Sequence, residues 1–489
     1  MILNQLTLLQ KAKETPTTLA NNFGTIILKT DDSEIIDAIY HLIFSVDFSG
    51  SMGTVGNDGK TALEHAKTVI RNILTHLNTL GVEVFITIRL FDNAGLVICE
   101  QRMIDDASVR EIMEALAPIL PRGSTNIKQA CAYAKSKVMA DARNSHILLT
   151  DGCPYSDSTW TIGQGVLQSG GTTKDSANAM ANHIYTEMPE MDNYLIGLGS
   201  GVNSLLLKAL DGKPTGCGYH FVDNVELAGM VYGEITYEIF HDSVRNVTMQ
   251  VEGDCRVYNW QTNTWSNETA VGNLSAGKEY RVSVRIPWET ENICVTCKYL
   301  EGDDTVTDEL VCQDYKRDEA CNVDARDLEI EKWMWRQKTL ALLHRSNTNP
   351  GDIVETALDT LLTNMRAWMT TKDLVADVFM IQLCTDITNT LSDLRVPVSA
   401  AATYRCARIS SQGQQRAFRV GAAAPAAPPP RPSFAHRGSS APFPMTFRGG
   451  GMPRTAAPMT PPRPQLGGRG TSAYTNPSQR SWIRAQTQS

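Results

Sequence analysis

Apolar positions recur along the chain with two different periods, and the changes of period divide it. From residue 42 the run LIFSV is apolar at four of five positions, the form of a strand covered on both faces. Helical spacing follows, with Leu63, Ala66, Val69, Ile70, Ile73, Leu77 and Leu80 on one face, and then a second strand run, VEVFITIRLF. The same alternation continues through helices at Ser108 to Leu116, Ile127 to Ala140 and Lys174 to Glu187, and through the strands ILLT, YLIGLG and GYHFV. This pattern predicts a doubly wound, mostly parallel α/β sheet over 41–236. GLVICE, just after Asp92, Asn93 and Ala94, predicts one antiparallel edge strand.

From Tyr237 to Gln313 the period becomes two, in VRNVTMQVEG, CRVYNW, KEYRVSVRIPW and ICVTCKYL, which predicts a small antiparallel β-sandwich over 237–322. Helical spacing returns over 323–395 in three segments, ending with Asp352 to Met369 and Leu374 to Leu394. Trp333, Leu340, Leu343, Leu358, Leu361, Leu362, Trp368, Val375, Phe379, Leu383 and Ile387 are the expected core of a helical bundle. Upstream, residues 1–40 hold one expected strand, GTIILKT. Residues 396–489 are expected to be a disordered Arg/Pro/Gly-rich tail, of low complexity from about Ser410, as in AAAPAAPPPRP and PPRPQLGGRG.

Charge sharpens this division. The tail, residues 396–489, carries twelve Arg and no Lys, Asp or Glu, so residues 1–395 carry 33 basic against 53 acidic side chains. An acidic body argues against polyanion binding by the folded part and leaves that role to the tail. The N-terminus lacks the basic and long apolar regions of a leader, and no stretch reaches the length of a membrane span. The expectation is an intracellular, cytoplasmic protein, or a virion component, whose eleven cysteines stay reduced.

The chemistry concentrates where the strand at 42–46 ends. Asp47, Ser49 and Ser51 stand at i, i+2 and i+4 on a turn with Gly50 and Gly53, without histidine or cysteine, an oxygen donor set that suits a small hard divalent cation. The D-x-S-x-S-M pattern after a strand resembles the metal-ion-dependent adhesion site of the von Willebrand factor A-type domain. Two later residues match that family's remaining ligands: Thr125 in PRGSTNIKQACAYA, and Asp151 at the end of HILLTDG. The resemblance implies Mg²⁺ or Mn²⁺, touched by Ser49, Ser51 and Thr125 and held through water by Asp47 and Asp151, with a coordination place left for an Asp or Glu of a partner protein. It implies binding rather than catalysis, and in this family the last helix, here Val225 to Phe240, is the part that switches. The polar stretch Cys153 to Thr173 is expected beside the ion.

The passage from GYHFV through VRNVTMQV is similar to the segment that follows the A-type domain in cytosolic proteins pairing it with a β-sandwich and a helical region, some intein-bearing and some plant ubiquitin ligases. In that group a strand before the A-type domain joins the sandwich, so residues 22–30 are expected to pair there and the A-type domain to be an insertion. No RING pattern or intein is found, and no ligase or splicing chemistry carries over.

Other motifs have blander readings. Cys294 and Cys297 fall on opposite faces of one strand, and Cys312 and Cys321 follow at irregular spacing, which speaks against zinc. GLGSG from Gly197 reads as a strand-to-helix turn. None of the nine histidines sits in a nucleophile motif, His146 reads as structural, and the expectation is a non-enzyme. In the tail, Arg448, Arg454, Arg463 and Arg469 are candidate phosphate contacts, with Phe434, Phe443, Phe447, Tyr474 and Trp482 as candidate stacking residues for nucleic acid. Three functions follow: a metal-dependent adhesion or scaffold module, a viral or ribonucleoprotein assembly protein using the tail, or a substrate-recognition subunit for ubiquitin transfer.

Overall fold

The computed structural model describes residues 3–8, 21–55, 59–151, 174–199, 202–222, 225–241, 243–287, 293–301, 304–312, 323–394, 398–415 and 474–488. Two strands precede the first α/β unit, β1 (Leu3–Leu8) and β2 (Asn21–Lys29). The unit itself is a six-stranded sheet of β3 (Tyr40–Asp47), β4 (Val84–Phe91), β5 (Leu96–Met103), β6 (Arg143–Thr150), β7 (Asp192–Leu198) and β8 (Gly216–Val222), in the order β5-β4-β3-β6-β7-β8. All neighbours are parallel except β4 and β5, the hairpin edge. Among the described residues six helices accompany it: α1 (Ala62–Leu77), α2 (Asp106–Leu116), α3 (Ile127–Ser136), α4 (Lys174–Tyr185), α5 (Ser204–Asp211) and α6 (Val225–Phe240). This mixed, mostly parallel sheet flanked by helices fits the A-type α/β fold. The chain runs outward from β3 to β5 and returns to β6 on the other side of β3, so the carboxyl ends of β3 and β6 flank the point where strand order reverses, the usual place for a ligand in open α/β sheets.

β3 is buried at every residue. Its polar positions are accommodated by neighbouring strands: His41 bonds Thr87 Oγ1 at 2.9 Å and Asn144 Oδ1 at 3.0 Å, and Ser45 Oγ bonds His146 Nε2 at 2.9 Å. α1 starts sharply because Thr61 and Glu64 form a reciprocal capping box, and it ends at Leu77 rather than the expected Leu80.

The sandwich has a five-stranded sheet, β1-β2-β13-β10-β11, facing a four-stranded one, β12-β9-β14-β15. Its later strands are β9 (Ser243–Val251), β10 (Arg256–Asn259), β11 (Thr264–Ser266), β12 (Glu268–Ser275), β13 (Glu279–Pro287), β14 (Ile293–Glu301) and β15 (Asp304–Cys312). β2 pairs with β13 along its whole length, from Asn21↔Pro287 to Lys29↔Glu279, and the α/β unit is therefore inserted between β2 and β9. Ile26, Leu28, Val247, Met249, Val284, Val295 and Cys297 share the core. Cys297 is fully buried while Cys294 is partly exposed. β1 was not expected; LNQLTL is too short and polar to read as a strand alone.

Among the described residues four helices follow: α7 (Val323–Thr348), α8 (Asp352–Thr371), α9 (Val378–Asp393) and α10 (Val398–Gly413). Two expectations are corrected from here on. Val375 is 62% exposed and outside the core, because α9 begins only at Val378, with Asp377 accepting from the Met380 N–H at 2.9 Å as its N-cap. The tail needs the larger correction: 396–489 is not disordered throughout, since α10 and a last helix, α11 (Pro477–Gln488), both lie in it. α11 seats on α6 and α1. Trp482 packs edge-on to His76 at 4.7 Å and His241 at 4.9 Å, and its Nε1–H donates to Thr236 Oγ1 at 2.9 Å. Tyr474 bonds Arg336 Nε at 3.0 Å and Gln412 Oε1 at 2.7 Å. Tyr474 and Trp482, two of the five expected base-stacking residues, are thus used inside the protein. The other tail candidates, Phe434 to Arg469, lie outside the described residues. Among the described residues no helix is long and apolar enough to cross a membrane.

Candidate metal centre at the carboxyl end of the sheet

Asp47 is the last residue of the central strand and is fully buried. One carboxylate oxygen accepts the Ser49 N–H at 2.8 Å, folding the chain back on itself, and the other accepts the Thr150 hydroxyl at 2.6 Å. The chain then forms a 3₁₀ turn over Gly50–Gly53, closed by Met52 N–H to Ser49 O at 3.1 Å. Apolar and polar residues alternate here for a structural reason: Phe48 and Met52 are buried anchors, and between them Ser49 and Ser51 bring their hydroxyls within 3.0 Å of each other. Ser51 is exposed, so the turn opens to solvent on that side.

Thr125 is 2% exposed, on the loop leading to α3. That loop is tied to the serine turn by Gly50 N–H to Gly123 O at 3.1 Å and Arg122 N–H to Phe48 O at 2.7 Å. Gly123 must be glycine: its φ is +69°, and a Cβ would lie 2.6 Å from Asn93 Oδ1 and 2.9 Å from Asp92 Oδ2. Asn126 caps α3 by accepting from Gln129 N–H at 3.0 Å. Asp151 follows β6 directly, is 6% exposed, and its carbonyl takes the Asn203 N–H at 2.8 Å. The loops carrying Asp47, Ser49, Ser51, Thr125 and Asp151 therefore meet at one end of the sheet. Cys153 to Thr173, expected beside them, lies outside the described residues.

Burial raises the Asp47 carboxyl to about 7, the nearby Asp151 carboxylate adding to the effect, and the bonds from Thr150 and Ser49 only partly offset both. Asp92, just past the end of β4, behaves oppositely. Burial opposes its charge, but the Gly95 and Ala94 N–H groups and Arg122 outweigh this and hold it below the usual carboxylate range. The buried site is electrostatically acidic, all-oxygen in its donors and open at Ser51, which fits a hard divalent cation and no softer metal. Among the described residues no three of His, Cys, Asp and Glu come together.

Sequence reasoning missed Thr150, Asp92, Gly123 and Arg122. Thr150, the last residue of β6, directly precedes Asp151, but only the parallel pairing of β3 and β6 reveals that it reaches Asp47. His146 is bonded through both ring nitrogens, to Asn193 Oδ1 and Ser45 Oγ at 2.9 Å each, within the sheet.

No family model matches the sequence, and no curated protein matches it. Solved structures do resemble the chain. A von Willebrand factor type A protein from Catenulispora acidiphila is 12% identical with a TM-score of 0.47, over 83% of this chain and 95% of that one. The pilus adhesin SpaC from Lactobacillus rhamnosus GG is 16% identical with a TM-score of 0.33, over 63% and 48%. The manganese-loaded TRAP protein of Plasmodium vivax is 15% identical with a TM-score of 0.28, over 58% and 98%.

Proposed function

We propose that this chain is a cation-dependent protein-binding module, in which Asp47, Ser49, Ser51, Thr125 and Asp151 hold one Mg²⁺ or Mn²⁺ that also takes an Asp or Glu carboxylate of a partner. The observation that carries the reading is the pair Asp47 and Asp151, two buried carboxylates close enough to act on each other, at the mouth of a hydroxyl-lined turn. Two such charges are costly to bury together, and a divalent cation relieves both at once. When bound, the ion supplies positive charge to a partner's carboxylate. The chain supplies the rest: Thr150 and the Ser49 N–H aim Asp47, Phe48 and Met52 fix the serine turn, and the Gly50 to Gly123 bond sets Thr125 against it. Hydroxyl donors from Ser49, Ser51 and Thr125 would leave such an ion poorly neutralised, which would favour a carboxylate from outside the chain.

The test is affinity capture with the intact chain in MgCl₂ and in EDTA, alongside Asp47→Ala. Captured proteins that depend on magnesium and are lost with Asp47→Ala support the reading. Binding that survives both chelation and the substitution sinks it. Thr125→Ala weakens capture and Asp151→Ala weakens ion retention under the same reading.

A further inference from the structure

Arg122 is exposed, yet it is fixed on three sides. Its N–H donates to Phe48 O at 2.7 Å, its guanidinium carbon lies 5.1 Å from the centroid of the Phe48 ring, and its Nε donates to Asp92 Oδ2 at 3.3 Å. Asp92 is itself locked, its other oxygen accepting the Ala94 and Gly95 N–H groups at 2.7 Å each. The side chain nevertheless keeps 60% of its surface in solvent, and its two terminal nitrogens take no protein partner among the described residues. Phe48, which carries the guanidinium, lies in sequence between Asp47 and Ser49. The two loops that meet here also carry two exposed apolar residues: Leu120, 75% exposed, and Val55, 61% exposed. Their loops touch, since a Cβ on Gly53 would meet Pro121 Cγ at 3.4 Å.

We propose that this rim selects the partner's sequence around the carboxylate that goes to the ion. A second acidic residue of the partner docks on the terminal nitrogens of Arg122, next to an apolar residue received by Leu120 and Val55. The inference rests on the cation-bridged reading of the same site. Its physical basis is that a guanidinium held by Nε and by an aromatic face has lost its rotamer freedom in advance and offers its outer edge as a two-donor fork, the shape that fits a carboxylate. Exposed Leu120 and Val55 complement an apolar residue beside that acid, and a basic neighbour is repelled by the fixed cation. The partner segment is therefore of acid–apolar–acid character. Were Arg122 only a rivet between loops, its replacement would change stability and leave ligand choice untouched.

The experiment measures binding of the full chain to dense arrays of Gly/Ser peptides carrying Asp-Leu-Glu, Asp-Leu-Gln or Asn-Leu-Gln cores, in MgCl₂ and in EDTA. The expected result is magnesium-dependent binding in which Asp-Leu-Glu exceeds Asp-Leu-Gln about 10-fold, the usual scale for a charge-assisted bidentate pair, with Asn-Leu-Gln at background. Arg122→Gln makes the first two equal, and Arg122→Lys restores only part of the gap, since an ammonium lacks the fork. Equal magnesium-dependent binding of Asp-Leu-Glu and Asp-Leu-Gln overturns the selectivity while leaving the cation bridge standing. Binding indifferent to magnesium, or absent from every peptide, overturns both. Because the deciding change is made in the peptide, the outcome does not depend on how the variants fold.

Discussion

Asp47 shows how a single side chain is held at a cost to the fold. It receives two good hydrogen bonds but sits fully buried beside another carboxylate. Asp47→Asn keeps an acceptor for the Ser49 N–H and removes the repulsion, so in EDTA this variant unfolds at the same denaturant concentration as the parent or a higher one. The stabilisation that magnesium gives the parent, about 2.7 kcal/mol at 100 times the dissociation constant, is absent from the variant. A variant clearly weaker than the parent in EDTA would show that the charge is already compensated by the chain itself. Two histidines make a separate prediction. Burial lowers His146 to about 4 and is the chief cause of the same shift at His344, which the Lys208 charge adds to. A histidine whose folded value lies below its unfolded value of 6.5 binds fewer protons folded than unfolded between the two, so stability rises with pH across that window. It is complete above about 6.5 and is lost as pH falls towards 4, by about 3 kcal/mol for each fully expressed shift. Urea unfolding at pH 7.5 and pH 5 measures this, and His146→Gln flattens the slope.

At the scale of elements, α6 and α11 meet through Gly233. A Cβ there would lie 2.7 Å from Ile483 Cγ1 and 3.0 Å from Ile483 Cα, so alanine pushes against the backbone of α11 and not merely a side-chain tip. Gly233→Ala improves the intrinsic helix propensity of α6 by up to about 1 kcal/mol and unseats α11. The expected signature is a red shift of Trp482 fluorescence and new proteolytic cleavage after Arg480 and Arg484, with the α/β unit no less stable. Unchanged fluorescence and protection would mean that the helices part easily at this contact. The same region shows where the sequence was legible. β3, α1, β4 and β6 announce themselves because each carries its own unbroken apolar face, and the five expected metal residues stand at the ends of such elements. α10 and α11 do not, because what makes them fold lies elsewhere in the chain. Arg408 in α10 is matched by Asp393 in α9, and Trp482 needs a slot formed by α1 and α6. At 12 residues, α11 is too short to be stable as an isolated helix. A composition rich in Arg and poor in acids therefore read as a free tail, although part of it is packed. Arg122 was illegible for the same reason, since neither Phe48 nor Asp92 is near it in sequence.

Across the whole molecule, α10 is one of the pieces that touch all three folded parts. Thr403 donates to Val202 O at 3.1 Å, and Tyr404 packs edge-on to Phe221 of β8 at 5.1 Å, which ties α10 to the α/β unit. Gly413 O accepts the Tyr280 hydroxyl at 2.7 Å, and Gln415 bonds Arg281 N–H and C=O at 3.2 and 2.8 Å, which ties the chain there to the sandwich. Towards the bundle, Gln412 Nε2 donates to Asp386 at 2.6 Å, while Arg408 and Asp393, both without solvent exposure, pair at 2.6 Å. A buried ion pair is a poor source of net stability but a severe liability when halved, because removing one partner leaves the other's charge in a dry site. Asp393→Ala is therefore expected to cost about 3–5 kcal/mol, whereas Arg408→Met combined with Asp393→Leu recovers most of that loss. Since the lost support sits at the junction, the single variant also separates what α10 couples. Calorimetry of the parent shows one cooperative transition, and Asp393→Ala splits off an earlier one belonging to the helical region, while the double variant restores a single peak. If Asp393→Ala lowered one undivided transition, α10 would stabilise the molecule without linking its parts, and strain in the bundle would have no path through this helix to the sheet that carries Asp47 and Asp151.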